Sequence, residues 1–496
     1  LQWRRSLARN TLINIVGFAL PISAALVAVP RILEGLGSDR FGVLVLAWAV
    51  VGYMGVLDLG LGQSLTRNLA AAFANGDEHN AKTLIGSALL LLSALACLSG
   101  LAAFTVVPWI VVHLVELPVE LVPEAHRALS LLALVVPAVV ASAGLSGALE
   151  AKHRFDLSNA VSMPLGVASF LGPLVALQFT SSLIAVVAVL AACRFVALGT
   201  LAILVDHYVI SLRRVSPRVS ELKALARFGG WVTVSRIIVP LMGNFDRFAI
   251  ATLVSLKALA IYAPPVDIAV RLLVLPGALS RALLPTIALN GEGRIEAVAR
   301  LLLQSAKFCL LTMCPCALIV ILYAPEALRV WLGPEHAVAG AEVLKWMMLA
   351  VALNGFGYPA ATLLLGLGRP HVTAQIQLAT VPVYFVAIWI GLPVFGIAGA
   401  AAIWAARVAV DTAAHWWFAI RAVGFNEASA RLLAVSAAMF ALLLATILVA
   451  EDRTVLLVAG SIGIATAGWF LVLDGRDRTQ VRCLVSSIGR RRVRRT

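Results

Sequence analysis

Charge is scarce in this chain. Asp, Glu, Lys and Arg make up 13% of its 496 residues, against 61% hydrophobic residues and a mean hydropathy of +0.96. Soluble domains carry about 25% charged residues, so a soluble globular domain is excluded. Cysteine is also sparse. Cys97, Cys193, Cys309, Cys314, Cys316 and Cys483 lie in apolar runs or in a basic tail, and none can pair across an external loop, so no disulfide is expected. Cys314-Pro315-Cys316 lacks neighbouring histidines, and the eight histidines are scattered, mostly in expected loops, without ligand spacing. Neither supports a metal centre, and no cofactor is expected. A Gly-x-x-x-x-Gly-Lys-Ser/Thr loop is missing, which argues against ATP hydrolysis. Polar stretches long enough to fold as a nucleic-acid module are missing, so nucleic acid is not an expected partner. The strict apolar/polar alternation of a membrane β-barrel is absent too.

What is present is a series of apolar runs of membrane-crossing length. They predict an all-α polytopic membrane protein of about fourteen helices: Thr11–Pro30, Phe41–Gly62, Thr83–Val107, Ala128–Leu149, Ser158–Phe179, Leu183–Val205, Phe228–Val254, Tyr262–Leu289, Leu301–Tyr323, Val343–Leu367, Val372–Leu392, Phe395–Ile420, Leu432–Ala450 and Val455–Leu473. The basic start Leu1–Arg9 precedes a full-length run and reads as leading into a first span, not a removed signal. Pro108–Pro123, interrupted by prolines and acids, is expected to lie at the interface as a short helix.

The net charge of +14 is distributed unevenly. Alternate loops carry Arg67/Lys82, Lys152/Arg154, the Arg213–Arg227 cluster, Arg294/Arg300, Arg369 and Arg421/Arg431, whereas the opposite loops carry little. The positive-inside rule then places both termini in the cytoplasm. The tail Arg490-Arg491-Arg492-Val493-Arg494-Arg495 suits anionic membrane lipid.

An internal repeat organises the chain. Pro21 matches Pro240, Pro164 matches Pro382, Asn75-Gly76 matches Asn290-Gly291, and Arg194 matches Arg407 at a nearly constant offset. The expected division is an N-terminal lobe 1–210, a basic linker 211–227, a C-terminal lobe 228–422, two appended helices 423–475 and a basic tail 476–496. Parallel six-helix halves are a transporter architecture.

Leu57-Asp58-Leu59-Gly60-Leu61-Gly62 followed by Arg67, and Asp246-Arg247-Phe248-Ala249-Ile250 with Tyr262 downstream, resemble the polysaccharide-transport branch of the multidrug/oligosaccharidyl-lipid/polysaccharide exporter superfamily. These are the Wzx-like flippases of O-antigen and exopolysaccharide repeat units, and the resemblance runs over essentially the whole chain. It implies a MATE-like fold and transport of a lipid-linked oligosaccharide, beside other polysaccharide-assembly membrane proteins and without enzymatic chemistry. A small-molecule or drug antiporter of the same superfamily is the first alternative, disfavoured by the arginine excess in the spans. A membrane glycosyltransferase or polymerase is the second, disfavoured by short external loops.

Ionisable residues within the apolar runs are the candidate site. A charge at mid-membrane costs about 2.5–3.5 kcal/mol on the insertion scale and therefore faces protein or water. Arg194, Arg236, Arg271, Arg281 and Arg407 form an expected cationic cavity, since guanidinium gives bidentate bonds to phosphate groups. Asp58, Asp246, Asp267 and Asp411 are expected to couple an ion or to pair structurally. Asp267 with Arg271, and Arg407 with Asp411, have the i,i+4 spacing of local ion pairs. Arg281 lies near a helix end and can snorkel instead.

Overall fold

The computed structural model describes residues 2–54, 75–113, 117–152, 154–211, 243–290, 295–424 and 426–448, together with 65–66, 68–69, 72–73 and 463. Among these residues there are helices and short turns and no strand. In hydrocarbon the backbone has no water to bond, so an apolar chain of this kind satisfies its amides within helices. The elements are α1 (Gln2–Met54), α2 (Glu78–His113), a 3₁₀ turn (Val119–Leu121), α3 (Val122–Ala133), α4 (Val136–Ala151), α5 (Phe155–Leu177), α6 (Leu183–Tyr208), α7 (Leu256–Arg271), α8 (Val274–Asn290), α9 (Ile295–Leu332), α10 (Pro334–Gly366), α11 (Pro370–Val423) and α12 (Glu427–Leu448). A further helical stretch covers 243–253. Ten described segments are long and apolar enough to cross a membrane.

The difference from fourteen has identifiable causes. α11, 54 residues long, would extend about 80 Å if straight, far beyond a hydrocarbon core of about 30 Å. It folds back at Gly396, whose φ of 64° and ψ of −162° are open essentially to glycine alone. The expected spans Val372–Leu392 and Phe395–Ile420 are therefore two limbs of one hairpin. Ile403 of the second limb packs directly against Gly391 of the first. α1 turns in the same way at Gly37 (φ 75°, ψ 164°), which joins Thr11–Pro30 to the start of Phe41–Gly62. Most of Phe228–Val254 and all of Val455–Leu473 but Gly463 lie outside the described residues.

Two expected single spans are broken by proline. Ala128–Leu149 divides into α3 and α4, because Pro137 has no N–H for the Ala133 carbonyl. The chain instead turns tightly, with Leu134 donating to the Leu131 carbonyl and Val135 to that of Leu132. Tyr262–Leu289 divides into α7 and α8 for the same reason at Pro276, and Leu275 N–H takes the Leu272 carbonyl. Pro108–Pro123 also departs from expectation. Its first residues continue α2 as far as His113, and its last residues form the 3₁₀ turn and the start of α3.

Two compact units result, Leu1–Pro264 and Pro265–Thr496, dividing at the Pro264-Pro265 pair inside α7. The expected linker 211–227 lies outside the described residues apart from Ser211. In the first unit α5 packs on α1 and α6, while α2 packs on α3 and α4, and both of these meet α6. Leu84, Leu92, Val140, Leu149, Leu201 and Val205 form much of its core. In the second unit α10 is central, packed between α9 and α11, with α8 against α10 and α12 against α9. Leu98, Val196, Ile203, Trp389 and Ile390 are exposed, as side chains that face lipid can be.

Candidate functional site

In the first unit α6 is held at both ends. Glu124 accepts the Leu183 N–H at 2.8 Å through Oε1 and Arg40 Nε at 2.9 Å through Oε2, satisfying an amide of the helix start. At the other end Lys152 Nζ donates to the Val209 carbonyl at 3.0 Å, a favourable place for a cation beside a helix C-terminus. Arg194 sits midway, about 17 Å of helix from Leu183, too far for its head to reach either interface. Its neighbours at helical spacing, Leu190, Ala191, Ala197 and Leu201, are all buried, so it shares the inward stripe of α6. Among the described residues no acid pairs with it. An apolar groove of about 370 Å³ lined by Pro164, Leu165, Ala168, Cys193 and Val196 runs beside it between α5 and α6.

In the second unit the α11 hairpin brings Tyr384, twelve residues before Gly396, beside Arg407, eleven residues after it. The guanidinium carbon of Arg407 lies 5.4 Å from the Tyr384 ring and 5.4 Å from the Trp404 ring. Both rings are buried, where a cation–π contact is worth about 2 kcal/mol or more. One turn along, Asp411 directs Oδ2 to His415 Nδ1 at 3.4 Å. The second limb is fixed against α10: Thr412 donates to the Leu353 carbonyl at 3.2 Å, and Trp416 Nε1 to that of Phe356 at 3.1 Å. The Trp416 and Phe356 rings stack with centroids 4.8 Å apart. An apolar cavity of about 800 Å³, lined by Trp346, Leu353, Phe395, Ala402, Ala406 and Phe440 among others, adjoins the same helices.

Asp246, Arg247 and Tyr262 are all buried. Tyr262 Oη donates to Asp246 Oδ2 at 2.5 Å, and the Arg247 N–H donates to Oδ1 at 2.9 Å. The aspartate thus ties the 243–253 helix to α7 within the first unit. Asp267 and Arg271 stand one turn apart near the end of α7, both partly buried, and belong to the second unit. Arg281 lies within α8. Asp58 and Arg236 lie outside the described residues. Among the described residues no three His, Cys, Asp or Glu side chains gather as a metal site.

Sequence reasoning passed over Tyr384, Trp404 and His415. It placed the histidines mostly in loops, whereas His336 and His415 are buried inside helices. The i,i+4 spacing of Asp411 and His415 was the available signal. Nothing in the sequence paired Tyr384 with Arg407, because their approach requires the hairpin.

The overall architecture is that of known exporters. An inward-facing multidrug-resistance MATE transporter of the MOP superfamily superposes with a TM-score of 0.70, at 16% identity, covering 82% of this chain and 98% of that one. The lipid II flippase MurJ in an inward closed conformation superposes with a TM-score of 0.66, at 11% identity, covering 92% of this chain and 99% of that one. The long apolar helices mark a multi-pass membrane protein, and its fold is the one these two transporters share. The polysaccharide biosynthesis protein family model matches residues 7–290, more than half of the sequence, and the chain belongs to that family. The MatE model matches residues 232–390. A Shigella flexneri protein named "Putative O-antigen transporter" is 27% identical over 424 residues, which span 85% of this chain and all of that one.

Proposed function

We propose that this protein moves a polyprenyl-pyrophosphate-linked oligosaccharide from the cytoplasmic to the outer leaflet of a bacterial plasma membrane, for surface polysaccharide assembly. The observation that carries the reading is one mid-helix arginine in each unit, on limbs that the sequence repeat relates. Arg407 is framed by the Tyr384 and Trp404 rings, and Arg194 lies on a buried stripe without an acid. Such arginines stabilise a diphosphate through bidentate charge-assisted bonds, far more strongly away from bulk water than in it. Similarity to an O-antigen transporter supports the choice of cargo.

The cycle follows from these parts. A cavity open to the cytoplasm neutralises the headgroup and shields the sugars, while the lipid tail stays in the bilayer. Rocking of the two halves then exposes the headgroup outside. The basic loops face the cytoplasm in this reading, and Arg236, Arg271 and Arg281 add to the cationic lining. Asp58 and Asp267 serve as ion-coupling or pairing acids.

The test is complementation of a strain lacking the gene, with surface polysaccharide read on gels and membrane protein measured by immunoblot. R194A, R236A and R407A at normal abundance should each lower surface polysaccharide by about tenfold or more, and lysine at the same positions should restore part of it. Normal export in all three alanine variants would sink the reading. Drug export is the second reading, favoured by the shared fold of multidrug MATE transporters. It predicts unchanged polysaccharide together with increased drug susceptibility in the deletion strain.

A further inference from the structure

The second limb of α11 carries a half-buried acid beside a buried imidazole, a pair that cargo binding does not use. His415 is 3% exposed, and its Nδ1 lies 2.8 Å from the Asp411 carbonyl oxygen and 3.4 Å from Asp411 Oδ2. Facing two acceptors, Nδ1 carries the hydrogen of the neutral ring, which leaves Nε2 as a lone-pair acceptor. Both Nε2 and Asp411 Oδ1 are buried without a hydrogen-bond partner. Native interiors rarely leave such atoms unpaired, and the imidazole is the group of the two that changes charge near neutral pH. A proton taken up at Nε2 makes the ring an imidazolium, with the Asp411 carboxylate positioned at Nδ1 to stabilise it.

Arg407, Asp411 and His415 occupy successive turns of one helix face. With the ring neutral, the arginine and aspartate charges cancel along this row. With the ring protonated, the row carries one net positive charge. We propose that Asp411–His415 is a proton-binding site that switches the charge beside Arg407, so that a proton and an anionic headgroup bind together. The second half of this proposal rests on the cargo reading given above.

The surroundings leave Asp411 as the acid that governs the ring. The α10 segment against the pair, Leu353 to Tyr358, contributes Tyr358 as its titratable group. Glu335, His336, Glu342 and Lys345 of α10 lie two or more turns before it. α9 meets this level of α10 at Met313, opposite Gly355. Its thiols Cys309, Cys314 and Cys316 are nearby, Lys307 lies about 9 Å back along the helix, and Arg300, Glu326 and Arg329 lie about 20 Å away. The first limb of α11 adds Tyr384 and His371, and on the second limb Arg421 stacks over Trp417 at 4.6 Å. Among these groups Asp411 is the one in contact with the ring.

The experiment uses the full chain in nanodiscs, labelled with ¹⁵N-histidine, and geranyl pyrophosphate as the anionic probe. One imidazole resonance, missing in H415Q and H415N, should titrate with pH, and its midpoint should move in D411N. Probe affinity should rise by about tenfold from pH 8 to pH 6 in the wild type and stay flat in H415Q. A His415 resonance that does not titrate, a midpoint unmoved in D411N, or an undiminished pH slope in a folded H415Q protein would each overturn the proposal. Titration of His415 with no probe binding at any pH would overturn the cargo reading and spare the proton site.

Discussion

A polar group inside an apolar helix is defined by what its neighbours offer it, and the buried residues here fall into two kinds. Asp246 is satisfied: it accepts from the Tyr262 hydroxyl and the Arg247 amide, and it fastens two helices. Y262F should therefore act on stability, removing one bond to a buried carboxylate. About 1–3 kcal/mol is expected, read as a lower melting temperature of the purified protein, with export retained. Arg407 and Arg194 are of the other kind: Arg407 lies against the Tyr384 and Trp404 rings, and Arg194 is set mid-helix on a buried stripe. R407A should lose export as well as some stability, whereas Y262F should lose stability alone, and measuring both quantities on both variants separates the two roles. Gly357 marks a third constraint. An added methyl would lie 2.9 Å from Thr412 Oγ1, so G357A should disturb the α10–α11 contact that positions Asp411 and His415, at about 1–3 kcal/mol.

The two longest elements each depend on one backbone position. α1 and α11 are hairpins because Gly37 and Gly396 hold φ values of 75° and 64° with ψ near 180°, a region that a Cβ makes costly. G37A and G396A should each destabilise by about 1–3 kcal/mol. Gly199 lies inside α6 with open space where a Cβ would stand, so G199A should be neutral or slightly stabilising. Equal melting temperatures for G396A and G199A would refute this account of the turns. Prolines do the opposite work: Pro137 and Pro276 remove a donor and divide a span without reversing the chain.

At the scale of the whole molecule the loop charges and the helix connections make one statement about orientation. The Gly396 turn falls outside the cell and the Arg421–Arg431 loop inside if the positive-inside rule holds here. In a background lacking the six native cysteines, V394C should react with a membrane-impermeant maleimide on intact cells. N426C should react only after permeabilisation. The reverse pattern would invert the topology and, with it, the direction assigned to transport. The division of the chain at Pro264-Pro265 also matters at this scale, because it places the satisfied Asp246–Tyr262 cluster in one unit and Asp267, Arg271, Arg407 and Asp411 in the other.

By itself the sequence determined the solvent, the class of secondary structure and the short set of residues worth suspecting. Apolar run length decides that helices cross a bilayer, and a charge within such a run is too costly to be incidental. The repeat pairing Arg194 with Arg407 was legible for the same reason, since each arginine stands out against an apolar background. What each charge does was decided by tertiary structure. Arg407 and Asp411 have the spacing of an ion pair along one helix, and the fold adds the Tyr384 ring of the other hairpin limb beside the guanidinium. Spacing along one helix fixes which side chains can meet. A fold-back at a single glycine decides which distant ones do.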